Sequence, residues 1–396
     1  MPSEGHPGAV TFQPALPLAE LRATRASIKW RRWPEDVLPL FVAEMDFGVA
    51  PEIVAAVADA MAAGDTGYLD RPGPLAPAFA AFAASSWGWD VEPSWVHLAT
   101  DVTVGIVEAL RLVVPRAGGR VVITTPVYNP FWEMVGETGA EVVEVPLVED
   151  AGFALDLSAL EDAFASGAQA MVLCNPHNPT GRAHSRDSLE ALAALAARYG
   201  VFVVSDEVHA TLVHPGTVFT PFAPVAAAAG ARAATVTSAS KGWNLAALKC
   251  AVVVAADAGA AALLEGLPEE LAARTSLLGL RANVTAFTSP GALAWRDAAL
   301  AQIIANVSLL EAELAAHAPA VRLVRPDCGY LVWLDFRGTG LGDDPAAALR
   351  ETGRVAFNSG PSFGAPGRGF VRVNLACDPS TVVEAVRRIA ATLAAS

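Results

Sequence analysis

At 396 residues and 53% hydrophobic side chains, the chain is long enough to build two or three domains around sizeable cores. Its 41 acidic residues outnumber 27 basic ones, and the net charge of -14 argues against nucleic acid or an anionic membrane surface as a partner. The lysine count is unusual: only Lys29, Lys241 and Lys249 stand against 24 arginines, so composition has drifted toward the cation that cannot do covalent amine chemistry.

Residues 1–50, rich in Pro and Trp and poor in periodicity, are expected to form an arm or lid on the body. From Pro51 the apolar spacing of Ile53, Val54, Val57 and Met61 predicts a helix ending at Gly64, and a second runs through Pro77–Trp87. Strand and helix patterns then alternate. Val104–Val114 reads as a helix and Val121–Thr124 as a strand, then Phe131–Thr138 as a helix and Glu141–Val145 as a strand. Ala170–Cys174 is a strand, Ser188–Tyr199 a helix and Val201–Ser205 a strand, with further strands at Ala234–Thr237 and Ala251–Ala255. These strands are continuous apolar runs, the mark of a sheet covered on both faces, and the alternation implies an α/β fold with a mostly parallel sheet. Near Ser289-Pro290-Gly291 the pattern changes. A long amphipathic helix at Leu300–His317 is followed by strands at Val321–Val324, Tyr330–Phe336, Val355–Phe357 and Phe370–Leu375 and a helix at Thr381–Ala395, a smaller α+β domain. The expected division is therefore 1–50 as arm, 51–288 as the large domain and 289–396 as the small domain, with the Ala226–Ala229 and Ala260–Ala262 runs read as compositional bias. The N-terminus, Met1 to Pro7, carries no basic or apolar signal region, and Asp257 breaks the apolar run Ala251–Leu264, so no leader or membrane span is expected. Cys174, Cys250, Cys328 and Cys377 have no paired spacing and the seven histidines are dispersed, which points to buried thiols in a reducing cytoplasm and to no metal site.

The chemistry gathers where strands end, the rim at which open α/β sheets bind ligands. After Ala170–Cys174 comes Asn175-Pro176-His177-Asn178-Pro179-Thr180-Gly181; after Val201–Ser205 come Asp206 and His209; after Ala234–Thr237 come Ser238, Ser240 and Lys241; after Val121–Thr124 comes Tyr128. Each alone has a bland reading: a turn, a helix cap, a hydrophobic wall, a surface lysine. Ser238-Ala239-Ser240-Lys241 also fits the S-x-x-K pattern of serine acylating enzymes, but no lysine is followed by Thr-Gly. Asp206-Glu207-Val208-His209 looks like a helicase acidic box, but no phosphate loop with its lysine accompanies it. Taken together, a lysine, an acid, an amide, a phenol and hydroxyls on one rim suit pyridoxal 5'-phosphate. Lys241 would carry the aldehyde as a Schiff base, Asp206 would keep the ring nitrogen protonated, Asn178 and His209 would reach the ring oxygen, and Tyr128 would stack on the ring face. Ser238, Ser240, Lys249 and the backbone amides at Val102-Thr103, where a helix begins, would take the phosphate. Arg372 would clamp a substrate carboxylate with two prongs.

At this point the chain resembles the fold-type I pyridoxal-phosphate enzymes of the aminotransferase class I/II superfamily, on Asn178-Pro179-Thr180-Gly181, Asp206 to His209 and Ser238-x-Ser240-Lys241 in that order and spacing. It is similar in particular to the cystathionine β-lyase (C–S lyase) branch of MalY/PatB type. That narrower likeness rests on Lys29-Trp30, Leu38 to Phe47, Gly67-Tyr68, Thr125 to Phe131 and Gly367 to Asn374. The resemblance implies β-elimination from cysteine S-conjugates, with Lys241 as the base at Cα. It also implies a homodimer whose partner copy receives Tyr68 at its cofactor phosphate and substrate site. An aminotransferase on the same scaffold, or a regulatory protein that keeps the fold without turnover, are the alternative readings. Three positions depart from the family pattern: Val102 stands where a Gly begins the phosphate-binding helix, Trp243 follows the lysine and is expected to reshape the pocket, and Lys249 replaces an Arg. The segment Ala294–Asn306 is also expected to be shorter than the family's.

Overall fold

The computed structural model describes residues 12–395; the segment Met1 to Pro7, read for a leader, lies outside them. Thirteen strands are named in chain order: β1 Leu38–Pro39, β2 Val96–Ala99, β3 Arg120–Thr125, β4 Glu141–Pro146, β5 Ala170–Cys174, β6 Phe202–Asp206, β7 Ala233–Thr237, β8 Ala251–Ala255, β9 Arg322–Val324, β10 Leu331–Asp335, β11 Val355–Ala356, β12 Asn358–Ser359 and β13 Phe370–Asn374. The central sheet runs β2-β8-β7-β6-β5-β3-β4. Only β8 opposes the others, pairing antiparallel with β2 and β7. The carboxyl ends of β2, β3, β5, β6 and β7 and the amino end of β8 therefore share one rim.

The apolar strand runs serve two cores. Along β5, Ala170, Val172 and Cys174 face a layer built by the helices Val102–Arg111 and Pro130–Thr138, while Met171 and Leu173 face Leu189, Leu192 and Phe222 on the other side. A strand buried on both faces has no polar positions to alternate with, which is why these segments read as unbroken hydrophobic runs. Gly105 lets the helix Val102–Arg111 lie tight on the sheet: a Cβ there would stand 2.9 Å from Val236 Cγ1, so any side chain would lift the helix and its amino end from the rim.

The carboxyl-terminal part is a four-stranded antiparallel sheet, β12-β13-β10-β9. Val371 and Val373 of β13 pack with the long helices on one face, so Arg372 and Asn374, alternating with them, turn toward the central sheet. Two-residue pairing of β1 with β11 ties the amino-terminal segment to this part. The expected arm is not featureless: it holds the helices Leu18–Thr24 and Ile28–Arg31.

Several expectations shift. The long helix begins at Pro290, ten residues before the periodic signal, because Ser289 caps it by accepting from Ala292 N and Pro occupies its first position. By length and apolar composition this helix, Pro290–His317, would reach across a bilayer; here Trp295, Ile303, Val307, Leu310 and Leu314 are buried in the protein. Strand β2, only four residues long, was not predicted, nor were the helices Leu157–Ala165, Leu277–Thr288 and Pro345–Glu351. The alanine runs lie in the helices Phe222–Ala229 and Ala258–Leu264, where Ala226, Ala260 and Ala261 are buried, so they are packing surface rather than bias alone.

Candidate active site

A cavity of about 630 Å³ opens at the shared rim. Asp101, Val102 and Thr103 reach it from the end of β2, Tyr128 from β3, Asn178 from β5, Asp206 and His209 from β6, Ser238, Ser240 and Lys241 from β7, and Lys249 from the start of β8. Arg372 enters from β13 of the smaller sheet. The strap Phe41 to Glu44, which has no regular structure, forms the remaining wall.

The strap is held by its own backbone groups, which a chain without helix or ladder must satisfy with side chains. Asn374 Nδ2 donates to Val42 O and Glu44 O, both at 2.6 Å. Asn244 receives Met45 N at 2.9 Å and donates to Met45 O at 3.0 Å. Ala43 O accepts from both Lys241 Nζ and Tyr330 OH at 3.1 Å. Beneath the strap the buried Lys29 ammonium pairs with Asp46 and donates to Glu44 O at 3.2 Å.

Burial sets the charges. It pulls the Lys241 amine down to about 8, helped by the Arg372 charge and opposed by Asp206 and Glu44. It raises the Asp206 carboxyl to about 6, against the Val208 N–H at 3.1 Å and the Lys241 charge. His209 is pushed to about 3 by burial and by the Lys241 and Arg372 cations, so its ring is neutral. Burial likewise raises the Tyr128 phenol, which stays protonated. Arg372, lowered by burial to about 10, remains a cation at neutral pH. Its Nη1 donates to Asn178 Oδ1 at 3.0 Å and its Nη2 to Phe41 O at 3.1 Å, while the buried Nε has no partner among the described residues. That orphaned donor beside a cavity leaves the fork open to a carboxylate.

The arrangement can hold an anionic, aldehyde-bearing ring. Among the described residues, Lys241 offers an amine whose one hydrogen bond is to a backbone carbonyl, and Asp206 a carboxylate that accepts one backbone N–H. Since Asn178 Oδ1 is turned to Arg372, its Nδ2 is left to donate into the cavity. Two expected phosphate contacts are altered. Ser238 spends its only proton on Cys250 O at 2.7 Å and accepts from Ser240 N at 3.0 Å, so Ser240, not Ser238, has a hydroxyl to give. Lys249 is exposed and bonded to Asp101 Oδ2 at 2.8 Å, which offsets part of its charge. One further expectation is corrected. Trp243 does not shape the pocket: its ring is wholly buried against Phe82 and Phe287, with Nε1 donating to Ala292 O at 2.8 Å. Tyr68, expected to serve the partner copy, is 92% exposed and does not line the cavity of its own chain. Reasoning from strand ends missed Asp101, because β2 before it was not predicted, and missed Tyr330, Asn374 and the strap carbonyls, because a strap that borrows most of its partners from distant segments leaves no periodic signal.

The family model for aminotransferases of class I and II matches residues 35–389, and the chain belongs to that family. It is 35% identical over 379 residues to the cystathionine beta-lyase of Corynebacterium glutamicum, covering 95% of this chain and 99% of the relative. It is 33% identical to the cystathionine beta-lyase PatB of Bacillus subtilis, covering 94% and 98%. A crystal structure from Corynebacterium diphtheriae, assigned provisionally as a PLP-dependent beta-cystathionase, superposes with a TM-score of 0.89 at 32% identity, covering 96% of this chain and 99% of that one.

Proposed function

We propose that this protein is a pyridoxal 5'-phosphate-dependent carbon–sulfur β-lyase that cleaves L-cystathionine or other cysteine S-conjugates to a thiol, pyruvate and ammonia. The observation that carries the reading is the convergence of Lys241, Asp206, Asn178 and Arg372 on one cavity, in a chain that runs nearly end to end with relatives named for this reaction. When bound, pyridoxal phosphate supplies the electron sink for the pair left on the substrate Cα.

The protein does the rest. Asp206 would supply the counter-charge to the ring nitrogen, whose positive charge would favour the ionised carboxyl against its burial. Asn178, whose Oδ1 is engaged by Arg372, and the neutral His209 would hydrogen-bond the ring oxygen without adding charge. Tyr128 would cover the ring face. Ser240, Lys249 and the amides of Val102 and Thr103 would hold the phosphate. Arg372 grips the α-carboxylate, which fixes the Cα–H bond near Lys241. With its proton affinity lowered to about 8, Lys241 takes the Cα proton at neutral to mildly basic pH. The strap excludes water from that transfer.

The active unit is a homodimer in the cytoplasm, acting on small amino acids. Support for the dimer comes from Tyr68 and from Val54 and Met61 of the helix Pro51–Ala62, apolar side chains that are more than half exposed. The four free, buried cysteines fit a reducing compartment. Residues 51–288 act as the large domain and 289–396 as the small one, to which the amino-terminal segment is tied by the pairing of β1 with β11.

Pyruvate release from L-cystathionine by the cofactor-loaded protein, with no keto acid added, tests the reading. Catalytic pyruvate is expected. Bleaching of the cofactor absorbance without pyruvate would replace elimination by half-transamination.

A further inference from the structure

The deep end of the cavity is served by Arg372, but a second guanidinium lines the same cavity at its mouth. Arg32 is exposed, and its charge lies over the Trp33 and Phe41 rings at 5.5 and 6.0 Å. No acidic side chain among the described residues pairs with it, in a protein of net charge -14 where most arginines have such a partner. Glu44, the carboxylate on the adjoining strap, is already turned to Ser27 Oγ at 2.9 Å and to Arg25 at 3.8 Å. Phe41 links the two guanidiniums: its carbonyl accepts from Arg372 and its ring carries Arg32. Four residues before Arg32, Ile28 also lines the cavity and is 55% exposed, so an apolar step and a cation lie on one side of the same turn.

We propose that Arg32 is a specificity residue that binds the distal carboxylate of substrates whose sulfur bears a second, carboxylate-ended arm, with Ile28 covering the aliphatic part of that arm. The inference rests on the elimination reading and narrows its substrate class to dicarboxylic thioethers such as L-cystathionine, over S-alkyl cysteines that end in a methyl group. The two aromatic rings beside the guanidinium favour its cation without neutralising it, which lowers the ordering cost of a carboxylate contact.

The test uses the cofactor-loaded protein and reads apparent Kd from the change in cofactor absorbance on adding L-cystathionine or S-ethyl-L-cysteine, alongside KM from pyruvate release. In Arg32→Leu, Kd and KM for cystathionine should rise about 3- to 5-fold, the loss of one exposed charge contact, while S-ethylcysteine changes by less than about 1.5-fold. Arg32→Lys should recover part of the loss, and raised ionic strength should erode the preference of the unaltered protein. Equal effects on both substrates, or none on either, would overturn the proposal. Because the titration reads binding, a protein that discriminates in this way yet releases no pyruvate would sink the elimination reading and leave the role of Arg32 standing.

Discussion

Removing Arg372 is the sharpest probe of how the cavity holds its substrate. The guanidinium is 3% exposed and fixed by Asn178 Oδ1 and Phe41 O, with Phe363 under it at 5.0 Å. Two of its five N–H groups are spent within the chain, and Nε is left without a partner. A carboxylate received on this fork makes two charge-assisted bonds in a site sheltered from solvent, and losing both costs about 3 to 4 kcal/mol. In Arg372→Ala, kcat/KM should therefore fall by roughly two to three powers of ten, mostly through KM. Arg372→Lys keeps the charge without the fork and should lose about tenfold. Cofactor absorbance, read on the same samples, should stay near that of the unaltered protein, because no phosphate or ring contact is assigned to this residue. Parallel loss of cofactor and activity would show Arg372 to be a structural bridge between the two sheets. Unchanged kcat/KM would show that the carboxylate sits elsewhere.

Two further outcomes follow from the same cavity and its surroundings. Lys241→Ala should abolish turnover, by at least about 10⁴-fold, in a chain whose far-ultraviolet circular dichroism is unchanged; full activity would sink the mechanism. Glu207 lies wholly buried beside the site, and burial raises its carboxyl from 4.5 to about 8, so the folded protein keeps a proton that the unfolded chain gives up. Between pH 4.5 and 8 the native state binds more protons, and stability should decline as pH rises through that window, by on the order of 5 kcal/mol for this group. Glu207→Gln mimics the protonated form and should flatten the decline in denaturant midpoints between pH 5 and 8; an identical pH dependence would show the carboxyl to be ionised.

Strand identity and the rim were legible because both are local. A segment such as Ala170–Cys174 must be apolar at every position to lie between two helical layers, and the polar residues that follow it have nowhere to go but the edge. Lys241 could be singled out because so few lysines remain, and Asp206, Asn178 and His209 because each closes an apolar run. Tertiary structure decided the rest. Whether Trp243 faced the cavity or the core depended on Phe82 and Phe287, 161 residues before and 44 after it, which no spacing rule relates. Lys249 reaches the rim only because β8 runs against its neighbours, and it finds Asp101 there only because β2 lies beside β8. The strap Phe41 to Met45 has no periodicity, since most of its carbonyls and amides are met by Lys241, Asn244, Tyr330, Arg372 and Asn374, about 200 or more positions away, beside the nearer Lys29 and Arg25. A backbone satisfied by distant side chains is fixed by the fold as a whole, so its shape, and the cavity wall it makes, emerge only when the two sheets are brought together.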